Sequence, residues 1–394
     1  MIDASSRPAT LAETLPNDHA DATLIGRVWD PAVGGPSPVL VTSDEVRDLS
    51  ESFATVSDLM REPDPAGAAR AAAGPVLGAT EEILTATMRG AADSIRFLSP
   101  VDLQCVKAAG VTFAVSMLER VIEERARGDA AEADRVRAQV LDLIGGDLRA
   151  VRPGSEESAR LKEYLLEQGL WSQYLEVGIG PDAEIFTKCP VLASVGTGDE
   201  VGVLRSSRWN NPEPEVVLIV DHAGRILGAA LGNDLNLRDV EGRSALLLPK
   251  AKDNTSSAAL GPFIRLFDDG FGLDDVRRAT VELRVEGEDG FVLQAESDMT
   301  LISRDPVDLV SQLIGPQHQY PDGAALYLGT LFAPTADRGE PGAGFTHRVG
   351  DVVRISSPTL GTLVNRVVYS ETCSPWEFGV GALMRNLARR ELLR

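Results

Sequence analysis

The sequence predicts an α+β fold, a mostly antiparallel β-body with short helices preceded by a smaller N-terminal α/β unit. Three observations carry that prediction. From about residue 184 onward, short runs of Val, Ile and Leu recur between turn signals, as strands do. Ahead of them, residues 111–127, 129–144 and 158–168 place apolar residues three and four apart among Glu, Arg and Ala, the spacing of amphipathic helices. The first hundred residues mix both textures, and the division is expected at 98/99, giving units 1–98 and 99–394.

Taken in order, residues 1–22 read as a loosely held lead. Thr23 to Asp30 and Pro38 to Thr42 read as strands joined through the Gly34-Gly35-Pro36 turn. Asp44 to Met60 has helical spacing with acidic residues in its first turn, and 64–92 is alanine-rich and helical with Pro and Gly breaks. The body should place strands at Pro190–Val195, Val216–Val220, Ile226–Leu231, Val281–Glu286, Gly290–Glu296, Ala325–Leu331 and Val352–Ser356. Asp221-His222-Ala223-Gly224 and Gly287-Glu288-Asp289-Gly290 supply hairpin turns.

Composition narrows the function. The 394 residues carry a net charge of −21, which argues against a nucleic-acid partner, since phosphate backbones are met by clustered Lys and Arg. No apolar run approaches the ~20 residues of a membrane span, and Met1 to Pro16 lacks a secretory pattern. The three widely spaced cysteines, Cys105, Cys189 and Cys373, fit reduced thiols. The expectation is a cytoplasmic protein without membrane or nucleic-acid partners. An anionic ligand would then need local cations or a metal ion.

Several motifs can be set aside. Gly196-x-Gly198-x-x-x-Gly202 has no helix behind it to supply an anion site and reads as a turn between strands. There is no GxSxG, and the four histidines lack zinc-ligand spacing. What remains is acidic. In Asn211-Pro212-Glu213-Pro214-Glu215, alternation along a strand sends both glutamates to one face, where they repel unless a cation lies between them. An exposed pair at a strand start is the ordinary alternative. Gly232-Asn233-Asp234 follows the next strand with a third carboxylate, and Arg238 lies four residues on. Lys252 falls on a loop before a strand entrance at Leu260-Gly261-Pro262, and Gly350-Asp351-Val352-Val353 introduces a last strand.

This ordered set resembles the fumarylacetoacetate hydrolase superfamily: an ExE strand, an N-D-x-x-x-R-D segment, a lysine before L-G-P, and a late G-D-x-[IV] strand. The resemblance spans roughly residues 100–365 and implies a β-roll catalytic domain. It assigns Glu213, Glu215 and Asp234 to Mg²⁺ or Mn²⁺, Lys252 to a substrate-facing cation and Thr330 to the ligand carboxylate. Ser116, Lys188 and Arg238 join Thr330 as expected substrate contacts. Many relatives carry a His–Glu pair where this chain has Ser116 and Glu119, so the usual activator of water is missing. Segments 208–215, 239–244, 302–306 and 319–323 resemble the branch that dehydrates 2-keto-3-deoxypentonates to 2,5-dioxopentanoate.

Chemistry from the residue types agrees. Three carboxylates leave a hard divalent ion with open positions for a chelating 2-oxo acid, whose C3–H the ion then acidifies. Lys252 is the expected proton-transfer residue if burial lowers its pKa, with Glu119 the second. The expectation is thus a Mg²⁺- or Mn²⁺-dependent dehydratase acting on a small 2-oxo acid, assembled as a dimer or dimer of dimers. A C–C hydrolase or decarboxylase of diketo acids is the alternative within the family, and a protein with a purely structural metal is the alternative outside it.

Overall fold

The computed structural model describes residues 9–127, 129, 132–133, 152–167, 171–332, 334, 336–339 and 344–393. The strands are β1 (Leu24–Asp30), β2 (Gly35–Val41), β3 (Glu45–Asp48), β4 (Val76–Ala79), β5 (Arg96–Leu98) and β6 (Cys105–Gly110). There follow β7 (Glu184–Cys189), β8 (Glu200–Val203), β9 (Asn210–Asn211), β10 (Pro214–Val220), β11 (Ile226–Asp234) and β12 (Asn236–Leu237). The last are β13 (Ala258–Leu266), β14 (Thr280–Glu286), β15 (Val292–Asp298), β16 (Ala324–Tyr327), β17 (Val352–Ser357) and β18 (Gly361–Tyr369).

Two mixed sheets organise them. The larger has 11 strands in the order β4-β3-β2-β1-β13-β11-β10-β16-β6-β7, with β5 on β1. The smaller runs β15-β14-β17-β18-β8. Most neighbours are antiparallel, while β16 pairs with β6 and β18 with β8 in parallel. The N-terminal strands are not a separate sheet, because β1 hydrogen-bonds to β13 of the body.

The β10–β11 hairpin sits at the centre, and its two faces have different partners. Val216, Leu218 and Leu231 point into a core shared with Val281, Leu283, Val285, Val353 and Ile355 of the smaller sheet. Val217, Ile219 and Ala230 point the other way, onto Leu49, Val56, Leu59 and Ala69 of the N-terminal segment. Each fully buried Val, Leu or Ile contributes roughly 1.5–3 kcal/mol. That packing holds the hairpin in register even though its Glu213 end buries charge.

Several expectations need correcting. Residues 9–22 are anchored: the helix Leu11–Thr14 is capped by Thr10 and Glu13, Leu15 is buried, and Asp18 pairs with Arg265 at 2.6 Å. Residues 44–60 are not one helix. Val46 alternates inward on β3 between β2 and β4, and only Val56–Leu59 is helical. Residues 64–92 give helices Pro65–Ala71 and Thr80–Met88 with β4 between them. Pro190–Val195 forms turns with a single bridge from Val195 to Ala259. Leu260-Gly261-Pro262 lies inside β13, not at a strand entrance, and β17 is followed by β18. The predicted helices before the body are found at Ala114–Arg125 and Glu156–Glu167, whereas most of 129–144 lies outside the described residues.

Candidate metal centre and active site

The ladder of β9–β10 against β11–β12 is continuous: Asn211 faces Asn236, Pro214 faces Asn233 and Glu215 faces Gly232. Glu213 and Asp234 are therefore direct neighbours, and the Asp234 N–H donates to the Glu213 carbonyl at 3.0 Å. By strand alternation Glu213, Glu215 and Asp234 share the face of Val217 and Ala230. Gly232 is required opposite Glu215, because a Cβ there would come within 2.3 Å of the Tyr327 ring. Tyr327 in turn donates to the Ala259 carbonyl at 2.6 Å. Among the described residues these three acids offer one oxygen each within 4.8 Å of one another, and all three are buried.

Cations from elsewhere meet this face. Three short helices matter here: α1 (Ala114–Arg125), α2 (Arg238–Glu241) and α3 (Leu248–Lys252). Lys252 closes α3, and its Nζ donates to Glu213 at 2.5 Å and to Asp234 at 2.9 Å. Arg120 of α1 pairs with Glu213 and, at 3.2 Å, with Glu241 of α2. Lys188 is fully buried behind Asp234 at 2.7 Å and also donates to the carbonyls of Leu235 and Lys252. Opposite them the Gly329 N–H donates to Glu215 at 2.7 Å. Gly329 has φ +98, and a Cβ would lie 2.0 Å from the Thr112 hydroxyl, so glycine alone presents its N–H this way.

The electrostatics are unequal across the three acids. Burial opposes ionisation of Glu213, but the charges of Lys252 and Arg120 outweigh it and hold the carboxyl at about 2. Glu215 is not compensated in this way: burial, then the charges of Asp234 and Glu213, push it well above the carboxylate range. A divalent cation relieves that repulsion directly, and three oxygen donors suit a hard ion. Lys252 does not meet the condition set for a base. Burial lowers its pKa, yet Asp234 and Glu213 outweigh burial and keep it an ammonium.

A cavity of about 20 Å³ lies over the triad, lined by Arg120, Glu184, Glu241, Phe186, Lys252 and Thr330 among others. That is the scale of one water molecule, too small for a five-carbon acid. A separate groove of about 660 Å³ is lined by Glu124, Arg127, Gln173 and residues 242–246. It is open surface without a carboxylate cluster among the described residues, and the chemistry is in the smaller cavity. In the sequence, Arg120 of the cavity lies one helical turn before Glu124 of the groove, and Glu241 of the cavity directly precedes Gly242 of the groove.

Of the residues expected from sequence, Glu213, Glu215, Asp234, Lys252 and Thr330 meet at this cavity. Thr330 donates to the Phe332 carbonyl at 2.8 Å. Lys188 is behind the wall, and Arg238 is buried with Nη1 on the Pro334 carbonyl and its guanidinium over Trp209. Glu119 is buried on α1, which sends Arg120 into the cavity wall and not Glu119. The Ser116 side chain lies outside the described residues. Arg120, Glu184 and Glu241 were not singled out by the sequence. Burial, and next the charge of Glu241, raise Glu184 to about 7.

Residues 188–368 match the model of the fumarylacetoacetate hydrolase C-terminal domain. A 2-dehydro-3-deoxy-D-arabinonate dehydratase from Saccharolobus solfataricus is 29% identical over 184 residues, 47% of this chain and 58% of that protein. A probable 2-keto-3-deoxyxylonate dehydratase from Haloferax volcanii is 28% identical over 201 residues, 51% of this chain and 65% of its own length. The match thus spans less than two thirds of either relative. A solved 2-keto-3-deoxy-D-arabinonate dehydratase complexed with magnesium and 2,5-dioxopentanoate shares the fold at TM-score 0.60 and 20% identity, over 88% of this chain and 99% of that one. The 5-carboxymethyl-2-hydroxymuconate delta-isomerase of Mycobacterium smegmatis superposes at TM-score 0.51.

Proposed function

From the match of residues 188–368 to the fumarylacetoacetate hydrolase C-terminal domain model, we propose that the chain is a member of that family and a hydro-lyase that dehydrates a 2-keto-3-deoxypentonate to 2,5-dioxopentanoate with Mg²⁺ or Mn²⁺. The observation that carries this reading is the buried triad of Glu213, Glu215 and Asp234 opening on a cavity that also holds Lys252 and Glu184. The activity for which the two similar dehydratases are named supports the choice of substrate.

Glu213, Glu215 and Asp234 would hold the ion. Bound there, it would take the substrate's carboxylate and ketone and acidify C3–H. The residues of this chain do the rest. Lys252, an ammonium beside two of the acids, orients the anionic substrate and donates to it. Thr330 stands on the same wall and would meet the ligand carboxylate by turning its O–H away from the Phe332 carbonyl. Glu184, raised to about 7, carries a proton near neutral pH and can give it to the departing C4 hydroxyl. Once the C4 hydroxyl has left as water with the Glu184 proton, the Glu184 carboxylate takes the C3 proton and is restored, and passing a proton from C5 to C3 turns the C3–C4 double bond into a C4–C5 enol that tautomerises to the aldehyde. Lys188 positions Asp234 from behind, and Arg238 braces α2 through Trp209 and Pro334.

The triad and the residues around it all fall within 99–394, the proposed catalytic unit, and a dimer or dimer of dimers is proposed for the assembly. Among the described residues no helix is long and apolar enough to cross a membrane. The test is direct: purified protein with Mg²⁺ and 2-keto-3-deoxypentonate should release 2,5-dioxopentanoate, read by coupled oxidation to 2-oxoglutarate. Efficient cleavage of an acylpyruvate, with the sugar acid untouched, would overturn the proposal in favour of C–C hydrolysis.

A further inference from the structure

The cavity wall beyond the triad is itself acidic. Glu184 of β7 and Glu241 of α2 both line it, with Ala109, Gly110, Val111 and Phe186 supplying the apolar remainder. Glu241 is buried and Glu184 half-buried, and the charge of Glu241 adds to burial in raising the pKa of Glu184. Arg120 reaches the same space already engaged by Glu213 and Glu241, and Lys252 is engaged by Glu213 and Asp234.

A ligand chelated at the triad by its 2-oxo acid end must point its other end into this wall. What the far end meets decides which 2-oxo acids fit. A carboxylate accepts hydrogen bonds from hydroxyl groups and repels another carboxylate, most strongly where water is excluded. A hydroxylated tail finds a charged acceptor in Glu241, whereas a second carboxylate finds like charge there. A buried site built to accept from a hydroxyl also discriminates against ligands that lack one, because its own polar group is left unpaired.

We propose that Glu241, positioned by Arg120 and assisted by Glu184, is the specificity determinant that admits 2-oxo acids with one carboxylate and a hydroxylated tail and excludes 2-oxo diacids. This rests on the reading of the triad as a metal site for 2-oxo acids. Arg120 sets where Glu241 lies by tying α2 to α1, and Glu241 makes the contact with the tail.

The test is binding calorimetry on the whole, Mg²⁺-loaded protein with two probes of equal chain length, 5-hydroxy-2-oxopentanoate, which has no C4 hydroxyl to lose, and 2-oxoglutarate. The unaltered protein should bind the monoacid at least ~10-fold more tightly than the diacid. Glu241→Gln keeps the shape, removes the charge, and should bring the two affinities within about threefold. The same variant should raise KM for the deoxypentonate about tenfold with a smaller change in kcat, the worth of one hydrogen bond to a charged acceptor. Glu241→Asp, which keeps the charge, should retain discrimination, and a melting curve for each variant separates folding from selectivity. Equal or tighter binding of the diacid by the unaltered protein would overturn this inference alone. A protein that binds neither probe would bring down the metal-site reading and the inference with it. Selective binding without dehydration would leave the inference standing and correct only the reaction.

Discussion

Two buried ionic clusters of this molecule can be compared. In one, Arg338 donates to both oxygens of Asp351 at 2.6 and 2.8 Å and to Asp289 at 2.9 Å, while His347 and the Arg348 N–H also contact Asp351. Burial works against the Asp351 charge, but His347 and Arg338 outweigh it and hold the carboxyl below its ordinary range. In the other, Glu213 has two cations in contact, while Glu215 sits beside the like charges of Asp234 and Glu213 and accepts from a backbone N–H. The first cluster is balanced and joins the β14–β15 turn to the start of β17. The second retains repulsion that the protein alone does not remove. Buried charge is thus not by itself a sign of function, and unrelieved buried like charge is the more informative feature.

The sharpest way to break this comparison is to remove one acid from each cluster. Asp234→Asn should lower kcat/KM by ~10³-fold, the several kcal/mol that an ion supplies at a developing charge. It should also abolish the Mg²⁺-dependent rise in melting temperature. EDTA should produce the same loss in the unaltered protein, reversed by Mg²⁺ or Mn²⁺. Full activity of Asp234→Asn would remove the triad from the mechanism.

Lys252→Ala comes next, with kcat lower by ~10²-fold if the ammonium helps transfer a proton. Steady-state kinetics decide the role, since a change confined to KM would leave Lys252 a binding group. In the balanced cluster, Asp351→Ala should leave kcat of the folded protein unchanged. It should instead cost about 3–5 kcal/mol in denaturant unfolding, because Arg338 keeps its charge in a buried place with one partner fewer. Lost turnover at unchanged stability would erase the distinction between the clusters.

The sequence made the first part of this site readable for a simple reason. Glu213, Glu215 and Asp234 lie on one hairpin, where period-two alternation and a short turn fix which side chains share a face. The opposite wall was not readable. Arg120 and Glu184 come from α1 and β7, brought to the hairpin through the parallel pairing of β6 with β16, and no local period encodes that contact. Glu119 and Arg120 are adjacent in sequence, and only the helix rotation decides that the arginine faces the cavity. The fold divides similarly. The hairpins at 221–224 and 287–290 were legible from their turn residues, while β3 hid in residues 44–60 because Val46 and Leu49 fit a helix face as well as a strand edge.

The smallest expected effect concerns pH, and it separates the clusters by sign. Asp351 has a lowered pKa, so its contribution to stability is present above its ordinary value of 3.8 and is lost as pH falls through the folded value. Glu184 is raised from 4.5 to about 7, so the opposite holds. Its folded, protonated form is favoured below 4.5, and that advantage disappears as pH rises through 7. Glu215, also raised, acts in the same direction. The metal-free protein should therefore lose stability between about pH 4.5 and 7, by on the order of 3 kcal/mol at most from Glu184, since each tenfold difference in proton affinity between folded and unfolded chains is worth about 1.4 kcal/mol. Glu184→Gln, neutral at every pH, should flatten that part of the profile, whereas Asp351→Asn should flatten only the acid limb. Saturating Mg²⁺ should shrink the loss in the unaltered protein, because an ion among the three acids favours the deprotonated form that rising pH produces. Urea unfolding at half-unit pH steps, with EDTA and with Mg²⁺, measures all three. A profile that Glu184→Gln leaves unchanged would place the proton elsewhere and return the departing hydroxyl's acid to Lys252.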